Sequence, residues 1–307
     1  MNESHELLRE ILFELRKLRR QVDDQAEHLE TLKAIAWEEA EASTRQRISE
    51  RNSKVQSKAT AHLRRVLPSQ RPLVDWLRNR GFEFLNFKRF PLVRGPADEL
   101  AVELSSSYEL LEPLVKALLA SVTYKHGTNF SLARFPQPQA SAIASFAQKL
   151  EDLGLVAAMN FVKDQAALFI EPHDDGVMNN FLSGGWLELR VEHLVAEMHP
   201  LWKPGRCLQN VQLKGPEGGD FELDLFLATD GDPLHLECKS GDISQAIPKV
   251  ARTVEALGLP PSRNFVVVPT LDPEAKARWQ TKCPATFVAL CDLPSCIAEF
   301  LPQAAQS

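Results

Sequence analysis

Apolar residues return every seven positions along the first forty residues: Leu8, Leu15, Val22, Leu29 and Ala36, with Ile11, Leu18, Gln25 and Leu32 three places after the first four. That is the a/d seam of a coiled coil. A lone helix cannot bury such a seam. A parallel homodimer through residues 5–40 is the simplest partner, with packing against the chain's own body as the alternative. Gln25, polar at a d position, would fix register at some cost in stability. Beyond Trp37 the seam fades into a polar, helix-favouring run that Pro68 and Pro72 should end.

The pattern then shortens. "RPLVDWLRNRG" predicts a helix closed by Gly81, and "FEFLNFKRF" alternates as a strand does. "SYELLEPLVKALLAS" and "QASAIASFAQKLEDLG" predict two helices, the first capped by Ser106 or Ser107 and the second stopped by Gly154. "LVAAMNFVKDQAALFIEP" predicts two apolar strands around Lys163 and Asp164. Helix, helix and hairpin is the order of a winged-helix module. The second helix carries only one lysine beside two acids, so a structural role is expected rather than groove reading.

From about residue 180 helix and strand alternate. "GGWLELRVEHLVAEM" sets Leu187, Val191, Leu194 and Met198 on one helical face. Strands are expected near 208–214, 220–229 and 233–239, then a helix near 243–257, the strands "NFVVVP" and "ATFVAL", and a closing helix from Leu293. The order is αβββαβ with an extra βα, an α/β domain. The expected division is therefore a coiled-coil helix and basic neck (1–67), a winged-helix-like α+β module (68–177) and an α/β domain (178–307).

Charge sharpens this picture. The formal net charge is −6, yet residues 44–94 hold 13 basic side chains against 3 acidic ones. Arg45, Arg47, Arg51, Lys54, Lys58, Arg64, Arg65, Arg71, Arg78 and Arg80 suit a polyanion, although a solvated helix surface explains them equally. Five cysteines with no C-x-x-C pair argue against a disulfide framework and a zinc knuckle. With no apolar run of eighteen residues and a charged N-terminus, neither a membrane span nor a signal peptide is expected, and the expected compartment is the cytoplasm.

Three ionisable positions interrupt the apolar strands. Glu237 and Lys239 share one face of their strand while Leu236 and Cys238 take the other, and Asp224 can reach the same spot from the preceding strand. Carboxylates gathered there would repel each other and be costly to desolvate. A divalent cation relieves both costs. Asp224, Glu237 and the backbone carbonyl of Cys238 make the oxygen-rich set that Mg2+ or Mn2+ prefers, with Lys239 placed to orient or help deprotonate an attacking water and to neutralise a phosphate.

Asp224, twelve residues, then Glu237-Cys238-Lys239 within αβββαβ resembles the PD-(D/E)xK phosphodiesterase superfamily. The resemblance implies a restriction-endonuclease-like fold and an acid from the preceding helix, for which Glu188 is placed. With Gly184-Gly185-Trp186-Leu187-Glu188, "ELDLF" and "LECKSGD", residues 180–290 resemble more narrowly the nuclease domains of the DUF1887-like group, which includes CRISPR-ancillary CARF nucleases regulated by cyclic oligoadenylate. No glycine-rich strand-to-helix turn precedes residue 180 to cradle a nucleotide, so that regulation is not expected here.

Gln245 matches a place where related nucleases often keep a supporting polar residue, and Lys249, one turn on, can touch a phosphate. Glu192 reads as a solvated acid, His193, His199 and His235 lack metal-like spacing, and Trp186 and Trp202 read as core. The expected function is a metal-dependent endonuclease hydrolysing DNA or RNA as a coiled-coil dimer, in nucleic-acid defence or processing. The alternative is an inactive dimeric nucleic-acid-binding or scaffold protein.

Overall fold

A computed structural model describes residues 68–88, 95–124, 126–173, 177–198 and 206–300. The heptad helix and the dimer contact expected through residues 5–40, the basic residues from Arg45 to Arg65, His199 and Trp202 lie outside them. Among the described residues no helix is long and apolar enough to cross a membrane.

In chain order the elements are α1 (Arg71–Asn79), β1 (Glu83–Lys88), α2 (Pro96–Ser106), α3 (Tyr108–Tyr124), β2 (Thr128–Ser131), α4 (Gln137–Asp152), β3 (Val156–Val162), β4 (Ala167–Pro172) and α5 (Val177–Asn180). After a single π-helical turn over Phe181–Gly185 come α6 (Trp186–Met198), β5 (Cys207–Lys214), β6 (Asp220–Leu227), β7 (Leu234–Cys238), α7 (Ile243–Leu257), β8 (Asn264–Val268), α8 (Pro273–Gln280), β9 (Thr286–Ala289) and α9 (Leu293–Ile297). Pro96 and Pro273 open their helices where a missing N–H costs nothing. Gly258, in the left-handed conformation, closes α7.

One mixed sheet runs β1-β5-β6-β7-β8-β9, antiparallel as far as β7 and parallel from β7 to β9. Helices cover both faces, which is why β7 and β8 are buried on both sides. On one face Leu225, Leu227, Leu234, Leu236, Phe265 and Val267 pack against Leu187, Val191 and Val195 of α6. On the other, α1 covers Phe84 and Phe87 of β1 together with Leu208 and Phe226, while α7 and α8 cover Val266, Val268 and Phe287. Burying a side chain of this size is worth about 1.5–3 kcal/mol relative to leaving it exposed. These layers hold the sheet in place beneath the site.

Two boundaries expected from sequence move. The strand assigned to the winged-helix-like module, β1, pairs with β5 at the edge of the large sheet, Glu83 opposite Lys214. Pairing between strands more than a hundred residues apart leaves no local trace. The module that remains, α2 to β4, has a three-stranded sheet ordered β2-β4-β3, and β2 and α2 add to the expected elements. Nor does it stand apart from residue 178 onward. Leu104, Leu118, Phe146 and Ile170 belong to the same core as Leu182, Trp186 and Leu236, and the described residues belong to one compact unit. Tyr108 stacks on Trp186, and His193 of α6 meets Asp98 of α2 at 3.0 Å, both buried.

Candidate active site

The sequence Leu234-His-Leu-Glu-Cys238 makes β7 a strand with two kinds of face. Leu234, Leu236 and Cys238 enter the core beneath α6, and His235 and Glu237 point the other way. Neighbouring β6 pairs with it antiparallel as far as Leu225 opposite Leu236. There the ladder gives way to a side chain. Asp224 Oδ2 accepts the N–H of Cys238 at 2.7 Å, so this carboxylate is anchored to the partner strand's backbone.

The Lys239 ammonium rests against the three oxygens that the sequence offers to a divalent cation. It lies 2.6 Å from Glu237 Oε1, 3.0 Å from the Cys238 carbonyl and 3.4 Å from Asp224 Oδ2. Glu237 lies beneath it, 3% exposed. His235 closes the far side of Glu237, with Nε2 at 3.5 Å from Oε2. Its own Nδ1 faces Asn264 Oδ1 at 3.2 Å, while the Asn264 amide donates to the carbonyls of Leu259 and Pro260.

Burial, then the charge of Glu237, pushes the Asp224 carboxyl up to about 8, and Glu188 adds to the rise while Lys239 opposes it. Burial works the same way on Glu237, but His235 and Lys239 outweigh it and hold that carboxyl down at about 2. Desolvation would lower the Lys239 ammonium, yet the two carboxylates beside it raise it, so Lys239 stays charged. The site therefore holds one firm anion, one firm cation and one acid ready to ionise when further positive charge arrives.

These groups lie in and under a cavity of about 940 Å³ lined by Glu188, Gln209, Asn210, Asp224, Lys239 and Lys249, among others. One rim is the turn before α6, where a Cβ on Gly185 would stand 2.7 Å from the Asn180 carbonyl, so only glycine fits. The opposite rim, Ser240–Asp242, is tied to it, since Ser240 Oγ donates to the Ser183 carbonyl at 3.1 Å. Hard oxygens from two carboxylates and a carbonyl, already gathered around a positive charge, fit Mg2+ or Mn2+ in chemistry. Among the described residues no three His, Cys, Asp or Glu side chains group to hold a metal by themselves, so the carbonyl of Cys238 and water would have to complete a shell.

The expected residues are not all brought together. Asp224, Glu237, Cys238 and Lys239 converge; Glu188 lines the cavity, its Oε2 accepting from Asn210 Nδ2 at 3.0 Å. Gln245 does not join them: it is exposed, and its amide donates to Asp242 Oδ2 at 3.0 Å at the start of α7. The turn that caps the helix competes for that side chain and wins. Lys249 does line the cavity, 4.0 Å from Glu222. Glu192, expected in solvent, is buried in the cavity wall because α6 lies flat on the sheet. Gln209 and Asn210 were hidden within an ordinary-looking strand sequence.

No family model and no curated protein matches the chain. Its fold is similar to that of Can2 from Sulfobacillus thermosulfidooxidans, solved in complex with cyclic tetra-adenylate, with a TM-score of 0.51 and 14% identity over 73% of this chain. The chain spans 59% of the length of that protein. Protein VC1899 from Vibrio cholerae is also similar, with a TM-score of 0.48 and 16% identity over 73% of this chain and 59% of its own. Coverage of 73% reaches beyond residues 178–307, so the fold shared with Can2 takes in part of the chain before them.

Proposed function

We propose that this chain is a divalent-metal-dependent phosphodiesterase that cuts DNA or RNA internally, in nucleic-acid defence or processing. The observation that carries this reading is the meeting of Glu237, the Cys238 carbonyl and Asp224 around one positive charge at a cavity floor. A fold shared with a protein that binds cyclic tetra-adenylate supports a nucleotide-linked role. Dimerisation through residues 5–40 and phosphate contacts by the basic neck belong to the same proposal.

Asp224, Glu237 and the Cys238 carbonyl would hold Mg2+ or Mn2+, with Glu188 facing them. When bound, the cation lowers the pKa of water and stabilises charge on phosphate oxygen. The chain's own groups do the rest. A water oxygen forms a bond to phosphorus as the bond to the in-line ester oxygen breaks; the water gives its proton to solvent, the leaving oxygen takes one from solvent, and charge accumulates on the non-bridging oxygens. Lys239 is a fixed point charge for that transition state, preorganised by Glu237 so that it needs no rearrangement. A lysine that stays protonated orients the water through its N–H groups rather than taking its proton. Lys249, further along the wall, suits a neighbouring phosphate of the strand.

The test is to incubate purified full-length protein with end-labelled single- and double-stranded DNA and RNA across Mg2+, Mn2+ and Ca2+, beside Glu237→Gln and Lys239→Ala. Fragments from the wild type alone, with Mg2+ or Mn2+, are expected; equal turnover by all three overturns the assignment. A second reading has one observation in its favour: Lys239 already neutralises the acids, as suits an inactive nucleic-acid-binding or scaffold protein. Manganese calorimetry separates the two, because a scaffold shows no site that Asp224→Ala abolishes.

A further inference from the structure

We infer that Asn210 is a positioning residue that holds the Glu188 carboxylate in the cavity facing Asp224; its catalytic consequence rests on the nuclease reading above. Asn210 and Ala166 are the two described non-glycine residues with positive φ. Ala166 ends the turn of a hairpin. Asn210, at φ 44°, stands inside β5, between Gln209 opposite Leu225 and Val211 opposite Leu223, which sets it across from Asp224 itself.

A left-handed residue within a ladder is strained for an L-amino acid, and asparagine bears it better than most. The twist has a packing consequence. Leu208 and, beyond Asn210, Val211 and Leu213 face the same cluster beneath α1, so the strand skips one step of its alternation at this residue. Backbone tolerance alone would be met as well by glycine. What glycine lacks is the amide that donates to Glu188 Oε2 at 3.0 Å.

That donor answers a specific problem. Glu188 lines the same cavity as Asp224. A glutamate with three rotatable bonds in the first turn of α6 relaxes outward unless something holds it. Asparagine supplies both needs, whereas aspartate tolerates the backbone but repels the acid.

The experiment compares Asn210→Gly and Asn210→Asp with the wild type by thermal melting, metal-free crystal structures, manganese calorimetry and cleavage. Asn210→Gly is expected to melt at or above the wild-type temperature while Glu188 leaves its place near Asp224. Manganese affinity and cleavage should fall about ten- to a hundredfold, as for loss of a residue that orients a ligand. A Glu188 carboxylate that stays in place in Asn210→Gly overturns the inference. If the wild type neither binds manganese nor cleaves, the nuclease reading fails, and the Glu188 position still decides the role of Asn210. Should the single variants fold poorly, Asn210→Asp with Glu188→Gln reverses donor and acceptor. That pair should melt higher than Asn210→Asp alone; no recovery counts against the contact.

Discussion

Glu237 and Lys239 meet at 2.6 Å with the carboxylate side chain 4% exposed and the ammonium 23%, two charges that share one face of a strand because they are two residues apart. A pair this buried is asymmetric in what its halves can lose. Removing the lysine strands an anion in the core, whereas amidating the acid leaves a neutral hydrogen-bonding group of the same shape. Lys239→Ala is therefore expected to cost about 3–5 kcal/mol by denaturant unfolding, and Glu237→Gln clearly less. Equal losses would show that the pair is not desolvated as described.

Acidity gives a second prediction, for metal-free protein. Asp224 holds its proton up to about 8 in the native state against 3.8 in the unfolded chain, so between these values the native state binds more protons. The stability this supplies is full at low pH and lost as pH rises through about 8. Glu237 behaves oppositely: depressed to about 2 from 4.5, it stabilises above its unfolded value and fails only in strong acid. Melting temperature should fall from about pH 5 to about pH 8, and Asp224→Asn should flatten that stretch. An unchanged slope in the variant would assign the effect elsewhere.

Cation binding reverses the same linkage. Mn2+ should raise the wild-type melting temperature more at pH 8 than at pH 6, since at the lower pH it must displace a proton from Asp224. Differential scanning calorimetry at fixed excess metal reads this directly.

Lys249 lines the cavity but does not touch Asp224 or Glu237. Lys249→Ala is expected to raise KM for an oligonucleotide with little change in kcat, and to reduce the salt slope of binding by about one. A fall in kcat alone would place it in the chemistry.

The shared core predicts cooperative unfolding. Trp186 is fully buried, stacked on Tyr108 and packed with both the α2–β4 module and the large sheet. Trp186→Ala should cost about 3–5 kcal/mol, with secondary structure of both parts lost in one transition by circular dichroism. Two separated transitions would restore the boundary at residue 178.

Local patterning carried the large sheet a long way. Alternation in Leu234–Cys238 exposed the two faces of β7, and the turn between β6 and β7 fixed which acids could meet. What local patterning lacked was anything depending on distant pairing. It could not show β1 crossing to β5, nor α6 lying flat enough to bury Glu192. It missed α8, whose Pro273–Gln280 run is short and polar, and a left-handed Asn210, because an asparagine in a strand looks like any other polar residue. Gln245 shows a limit of spacing: its amide donates to Asp242 at the start of α7, a local partner that position along the chain does not reveal.

Cys238 lends the site its carbonyl and its N–H, while its thiol points into apolar packing where burial drives its pKa well above 9.0. A thiol held neutral and out of reach offers oxidants no thiolate to attack. The geometry of the candidate site is thereby insulated from redox stress although a cysteine lies within it, and a valine or alanine at that position would serve the backbone equally well.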